Sequence, residues 1–309
     1  MRIIFFGTSN AALPILEMLN KQHQVLAVVT QPDAKVGRER EMTESPVSVL
    51  AKEMGLKVLK PQEAKNNDLF RLELQSFGAE MFVVAAFGQI LPPEVINLPK
   101  FKTLNVHFSL LPKYRGASPI QSALLNGEKE TGASIFILDE QVDHGPVLGQ
   151  EKMPIDDDDN FLTLSEKLAQ KSAKLLLSVI DSYAAGNLNP APQDDSSASH
   201  TSIINKQHGQ IEWAKSAQQI YNQFRAFYPW PGIWTKWQGK TLKILDCAPV
   251  ASAQSEKPPG TVLEGGAVVC GGNSVLQIKV LQLEGKNETA MQDFLNGYRN
   301  FVGSRLGDE

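Results

Sequence analysis

Short apolar runs alternate with stretches of helical period through the first half of the chain, and this alternation narrows the possible folds more than any other feature of the sequence. Strands are expected at residues 2–6, 24–30, 57–59, 81–86 and 103–107, with an added pair at 133–138 and 147–153. Helical periods fall between them at 11–19, 46–53, 69–77 and 119–125. Strands joined by crossover helices build a mainly parallel sheet, so the expected fold is α/β and Rossmann-like. The first strand runs into Gly7-Thr8-Ser9, a turn that feeds a helix as in nucleotide-binding sheets. The second and third glycines of a dinucleotide fingerprint are missing, which disfavours that ligand.

Four acids, Asp156 to Asp159, precede a long periodic stretch at 161–183, where carboxylates suit the positive end of a helix and read as a solvated helix start. The segment NLNPAPQDDSSASH then breaks both periods and marks a boundary. Beyond a helix at 216–227, short β-like runs at 234–237, 241–245 and 275–283 are separated by Gly or Pro turns, the spacing of a small OB-like β-barrel. A chain of 309 residues has room for two domains. The expected division is a first domain at 1–187, a linker at 188–202 and a second domain at 203–309.

The opening MRIIFFGTSNAAL carries one basic residue and a short apolar run, which reads as a strand rather than an export signal. No window of 18 apolar residues is present, and Cys247 and Cys270 lack paired spacing, so membrane, disulfide and zinc readings are disfavoured and a cytoplasmic protein is expected. A monomer is the expected state. A net charge of −4 argues against indiscriminate binding to nucleic acid. The charge is uneven, however: 11 basic against 9 acidic residues in 200–309, and 19 against 25 before it. A polyanion meets the C-terminal part on better terms.

The strand at 103–107 ends with Asn105 and His107, two apart and therefore on one face, at the carboxyl end where open α/β sheets bind ligands. Taken alone, such a histidine is more often a hydrogen-bonded structural residue than a catalytic one. Ser109-Leu110-Leu111-Pro112 follows, then Lys113-Tyr114-Arg115-Gly116, a polar turn opening the next helix. Some thirty residues later Asp143 precedes His144, Gly145 and Pro146 in a tight turn. Asp139 and Asp143 lack the alternating oxygen ligands of a metal loop, so no metal is expected.

These residues together resemble the folate-dependent formyltransferases. The resemblance rests on Asn105-x-His107, Ser109 to Pro112, Tyr114 to Gly116, Asp143 with Gly145, and a loop counterpart in Ala86-Phe87-Gly88-Gln89-Ile90-Leu91-Pro92. It extends through GQIEWAKSAQQIYNQFRAFYPWPGIWT and DFLNGYRNFVGSRLG, covering essentially the whole chain. It implies transfer of the formyl group of 10-formyltetrahydrofolate to a primary amine, with Asn105, His107 and Asp143 catalytic. Phe87, Gly88, Gln89, Ile90, Leu91 and Ser109, Leu110, Leu111, Pro112 would bind folate, and no metal is used. A histidine with an ordinary pKa of about 6.5 suits the proton transfers, and Asn105 suits a developing oxyanion.

The C-terminal half of the resemblance implies initiator methionyl-tRNA as the acceptor; a nucleotide-linked amino sugar is the second reading, and a binding module without turnover a third. Arg38 and Arg40 sit in a loop, residues 35–42, where the family's basic tRNA contact falls, diluted here by Glu39 and Glu41. Gly285-Lys286-Asn287-Glu288-Thr289 is likewise less basic than the family pattern, and Ser9 to Ala12 lacks its Phe. Fewer cations imply weaker phosphate contacts. Phe227 to Gly232 reads as packing around Trp230 rather than base stacking.

Overall fold

The computed structural model describes residues 1–36 and 41–307. The chain divides into two compact units, one of Met1–Pro119, Glu130–Ile155 and Leu164–Ser202, the other of Ile120–Lys129, Asp156–Thr163 and Ile203–Glu309. Arg38 and Arg40, expected to meet tRNA, lie outside the described residues.

In chain order the elements begin with β1 (Arg2–Gly7), α1 (Leu13–Gln22), β2 (Gln24–Val29), the paired strands β3 (Ala34–Val36) and β4 (Glu41–Thr43), α2 (Pro46–Glu53) and β5 (Val58–Leu59). They continue with α3 (Asp68–Ser76), β6 (Met81–Ala85), α4 (Pro93–Ile96), β7 (Thr103–His107), β8 (Arg115–Gly116) and α5 (Pro119–Leu125). β9 (Glu130–Ile137), β10 (Val147–Pro154), α6 (Phe161–Ala184) and β11 (His200–Thr201) complete the run. The central sheet has the order β10-β9-β7-β6-β1-β2-β5. Its five strands from β7 to β5 are parallel, and β9 runs antiparallel to both β7 and β10.

β1 is apolar at successive positions because helices cover both faces of the sheet, so its alternate side chains all meet protein. Ile4 and Phe6 pack with Phe70, Leu74, Phe82, Val95 and Ile96 in one core cluster. The Asn67 side chain starts α3 by accepting from Phe70 N, and Ser45 does the same for α2 from Ser48 N. Chain order reverses direction between β1 and β6, the switch point where such sheets commonly bind ligands. Here that point is stitched closed: Thr8 N donates to Ala86 O at 3.2 Å, and Thr8 Oγ1 and Gln31 Nε2 both donate to Phe87 O at 2.8 and 3.1 Å.

Residues 188–202 differ from the expected linker, since they belong to the first unit through Ser202. Ala191 and Val147 exchange backbone hydrogen bonds, and β11 pairs in parallel with β8. Proline and serine removed the periodicity without removing the backbone donors and acceptors, which these partners satisfy. Asp159 also departs from a purely solvated helix start: it is buried, its carboxylate accepting from Asp156 N and from Thr163 Oγ1.

The second unit contains α7 (Ala217–Phe227), β12 (Ile233–Trp237), β13 (Lys240–Gln254), β14 (Ala267–Val269), β15 (Ser274–Leu283), β16 (Thr289–Ala290) and α8 (Met291–Gly297). Its strands form an antiparallel sheet of order β12-β13-β15-β14, with β16 added to β15. The small barrel expected here is a curled half-barrel, bent by register shifts along β13. A reciprocal capping box of Ser216 and Gln219 opens α7, whose apolar side packs on β13 and β15. Trp237 meets Phe294, Tyr298 and Phe301 edge-on, which seats α8 against β12.

Candidate active site

β7 runs in register with β6 on one side and β9 on the other, placing Asn105 beside Val84 and Phe136, and His107 beside Ser134. Asn105 and His107 share a face at the carboxyl end of the strand. There they border a cavity of about 510 Å³ whose lining includes Phe87, Gly88, Gln89, Ile90, Leu91, Val142 and Asp143. That volume is in the range of small-molecule sites. The three expected catalytic residues and the five expected on the 87–91 loop are therefore brought together.

Each wall has a distinct physical origin. On the 87–91 loop, Ile90 is 78% exposed, and across the cavity Val142 is 59% exposed, an apolar pair left without protein cover. Gln89 is turned away, its Oε1 accepting from Ala64 N. Asp143 is held at φ +50°, a left-handed conformation that costs about 1 kcal/mol for a residue with a Cβ. Its Oδ2 accepts from Gly116 N at 2.7 Å and lies 3.4 Å from His107 Nδ1. Gly145 must be glycine, since a Cβ there would overlap the Ile137 carbonyl oxygen.

The histidine is tied by its other nitrogen. His107 Nε2 lies 2.9 Å from Tyr114 O, and a carbonyl can only accept, so Nε2 carries a proton. Tyr114 itself adopts φ +62°, which belongs to the turn that presents this carbonyl. With Nε2 committed, Nδ1 is the nitrogen that faces Asp143, at a distance longer than a tight hydrogen bond. Among the described residues the Asn105 side-chain amide has no hydrogen-bond partner, while it lines the cavity. The site thus offers one unused amide donor, one imidazole nitrogen and one carboxylate.

Ser109, Leu110, Leu111 and Pro112 lie off this cavity. Ser109 is fully buried, its hydroxyl donating to Lys113 O, and Ser134 Oγ donates to Ser109 O while accepting from Leu111 N. Gln150 Nε2 donates to Leu111 O and to Ser134 Oγ. The segment is a braced turn behind the histidine.

Several contacts near the site had no signal in the sequence, and Gln193 and Asp195 carried none as residues. Arg115, buried, donates to Gln193 Oε1 and to Asp195 Oδ1, and Gln193 Nε2 donates to Asp143 O and Gly145 O. Arg115 holds the Asp195 carboxyl below the usual carboxylate range. Asp139, 2.6 Å from His144 Nδ1, raises the His144 pKa above the ordinary 6.5. These contacts join residues up to 80 positions apart, which no local pattern encodes.

A larger cavity of about 620 Å³ lies in the second unit beside Gln207, His208 and Gln223. It lacks a comparable constellation: the Gln223 amide nitrogen is already committed to His208 O and Gln210 O. Among the described residues no group of three or more His, Cys, Asp or Glu is arranged to hold a metal.

Residues 1–180 match the formyl transferase family model, and residues 203–299 match that of the formyl transferase C-terminal domain. The methionyl-tRNA formyltransferase of Caldanaerobacter subterraneus subsp. tengcongensis is 43% identical over 310 residues, covering 99% of this chain and 100% of the relative. That of Caldicellulosiruptor saccharolyticus is 42% identical over 313 residues, with 99% and 100% covered. Among solved structures, the N-formyltransferase from Helicobacter canadensis, in complex with folinic acid and dTDP-3-aminofucose, superposes with a TM-score of 0.66. It is 22% identical, with 89% of this chain and 98% of that one covered, a likeness of fold. With both family models matched in order and relatives alike from end to end, the chain belongs to the folate-dependent formyl transferase family, alongside the methionyl-tRNA formyltransferases.

Proposed function

We propose that this protein transfers the formyl group of 10-formyltetrahydrofolate to the α-amino group of initiator methionyl-tRNA. The observation that carries the chemistry is the convergence of the unpartnered Asn105 amide, His107 Nδ1 and the Asp143 carboxylate on one cavity. The full-length likeness to methionyl-tRNA formyltransferases supports the acceptor. The cavity fits a planar heterocycle, because Ile90 and Val142 offer exposed apolar surface beside main chain of the 87–91 loop.

The bound donor supplies an activated formyl carbon, so no nucleophilic serine or cysteine is needed. The Asn105 amide donates to the formyl oxygen as negative charge develops there, a preorganised contact that needs no reorientation at the moment of reaction. His107, its Nε2–H given to Tyr114 O, presents Nδ1 as the base that takes the proton from the attacking amine. Asp143 then faces the imidazolium formed, and favours it by charge. The same nitrogen returns the proton to the departing folate nitrogen.

Binding of the tRNA is assigned to residues 203–309 together with Arg38 and Arg40, and the protein acts as a monomer in the cytoplasm. The test is one assay: purified protein, 10-formyltetrahydrofolate, and either methionyl-tRNA or a dTDP-linked amino sugar. Formylmethionyl-tRNA is the expected product. Formylation of the sugar alone would overturn the acceptor.

A further inference from the structure

Gln193 sits in a Pro- and Ser-rich stretch that carries no recognisable motif, yet its amide is used completely. The Oε1 atom accepts from Arg115 Nε at 3.1 Å and from Arg115 Nη2 at 2.9 Å. The Nε2 atom donates to Asp143 O at 2.9 Å and to Gly145 O at 2.8 Å. One side chain thereby joins the turn that carries Tyr114, Arg115 and Gly116 to the turn that carries Asp143.

Those turns are the two that orient His107 and its carboxylate. Tyr114 and Asp143 both hold positive φ, a conformation that a residue with a Cβ leaves unless its surroundings fix it. Asp143 has two such fixtures: Gly116 N on its carboxylate, and Gln193 on its own carbonyl and that of Gly145. Without the second, the peptide is free to relax and swing the carboxylate away from Nδ1.

We propose that Gln193 is a positioning residue for formyl transfer, setting the Asp143 carboxylate against His107 by clamping the Asp143–Gly145 main chain to Arg115. The assignment rests on the functional reading above. It also explains why the residue is an amide. A glutamate would satisfy Arg115, but it has no donor for two carbonyl oxygens and would repel them.

The experiment is a kinetic cycle on the full chain with Gln193→Ala, Gln193→Glu, Asp143→Ala and the double variant Gln193→Ala/Asp143→Ala. Gln193→Ala and Gln193→Glu are each expected to lower kcat about tenfold, with KM for donor and tRNA within about twofold of the parent. In the Asp143→Ala background, Gln193→Ala is expected to change kcat less than about twofold, since its partner is gone. Multiplication of the two losses, or recovery of full kcat by glutamate, would overturn the assignment.

Hydrogen exchange of the unliganded protein gives a readout independent of turnover. The Gly116 amide, bonded to the Asp143 carboxylate, should exchange at least about tenfold faster in Gln193→Ala while amides of β1 and β13 keep their rates. An unchanged Gly116 amide overturns the clamp whatever the acceptor. A wild-type protein that fails to formylate methionyl-tRNA overturns the functional reading instead, and the exchange result then decides the clamp by itself.

Discussion

The loops that follow β6 and β7 leave adjacent strands at the same edge of the sheet and yet are built to opposite ends. After β6, residues 87–91 hold an exposed Ile90 on the cavity, and the polar bonds of the loop are made from outside, through Thr8, Gln31 and Ala64. After β7, residues 109–112 are packed against Ser134 and Gln150, which consume the donors and acceptors of the turn. One loop leaves apolar surface exposed on the cavity, while the other uses its polar groups to fix the backbone beneath His107. The difference teaches that a segment adjoining a site can be built to brace the backbone rather than to face the cavity.

The largest effect belongs to the residues standing between these loops. Asn105→Ala, His107→Ala and Asp143→Ala should each lower kcat by at least about 10², measured as steady-state formylation, because in the proposed mechanism each removes a group that acts on developing charge or on the transferred proton. Near-parental turnover in all three would break the comparison at its centre. Next comes Ser134→Ala, which strips a buried hydroxyl from Leu111 N and Ser109 O and should cost about 1–3 kcal/mol in denaturant unfolding, with KM for the formyl donor unchanged. A rise in KM without a loss of stability would make the braced turn a ligand contact after all.

The mirror-image experiment is Ile90→Ala. Because the side chain is exposed, stability should hold, while KM for the donor rises roughly fivefold, the equivalent of about 1 kcal/mol of lost apolar burial. The smallest effect concerns His144, 2.6 Å from Asp139 and 30% exposed in its side chain. Its folded pKa is raised, so its stabilising contribution is full below the ordinary 6.5 and fades as pH climbs through the raised value. The Tm gap between the parent and His144→Ala should therefore be wider at about pH 6 than at about pH 9. A gap that widens with pH would show that the Asp139 contact does not act through charge.

Much of this was legible in residue order. The parallel strands showed as apolar runs, Asn105 and His107 as a same-face pair, and the 87–91 loop as part of the family pattern. What escaped is what local patterns do not carry. β8 and β11 are two residues long, and β14 is three, too short for any period to register. Gln193 and Asp195 lay in a stretch whose composition suggested a linker, because their value comes from hydrogen bonds spanning 48 to 80 positions. Tyr114 contributes a carbonyl to His107, and a main-chain acceptor leaves no trace in side-chain chemistry.

The stitches from Thr8 and Gln31 to the main chain of residues 86 and 87 carry a consequence for anyone who would re-engineer the sheet. In many folds of this build the first turn is a vacant cradle for a phosphate; in this one the berth is already taken by the protein itself, and the open cavity lies one strand over, beside Asn105. Grafting a glycine-rich fingerprint after β1 would not by itself recruit a nucleotide. The graft would first have to sever the threonine, and in doing so it would release the very loop that walls the cavity beside Asn105, so that opening the new berth would mean undoing the old one.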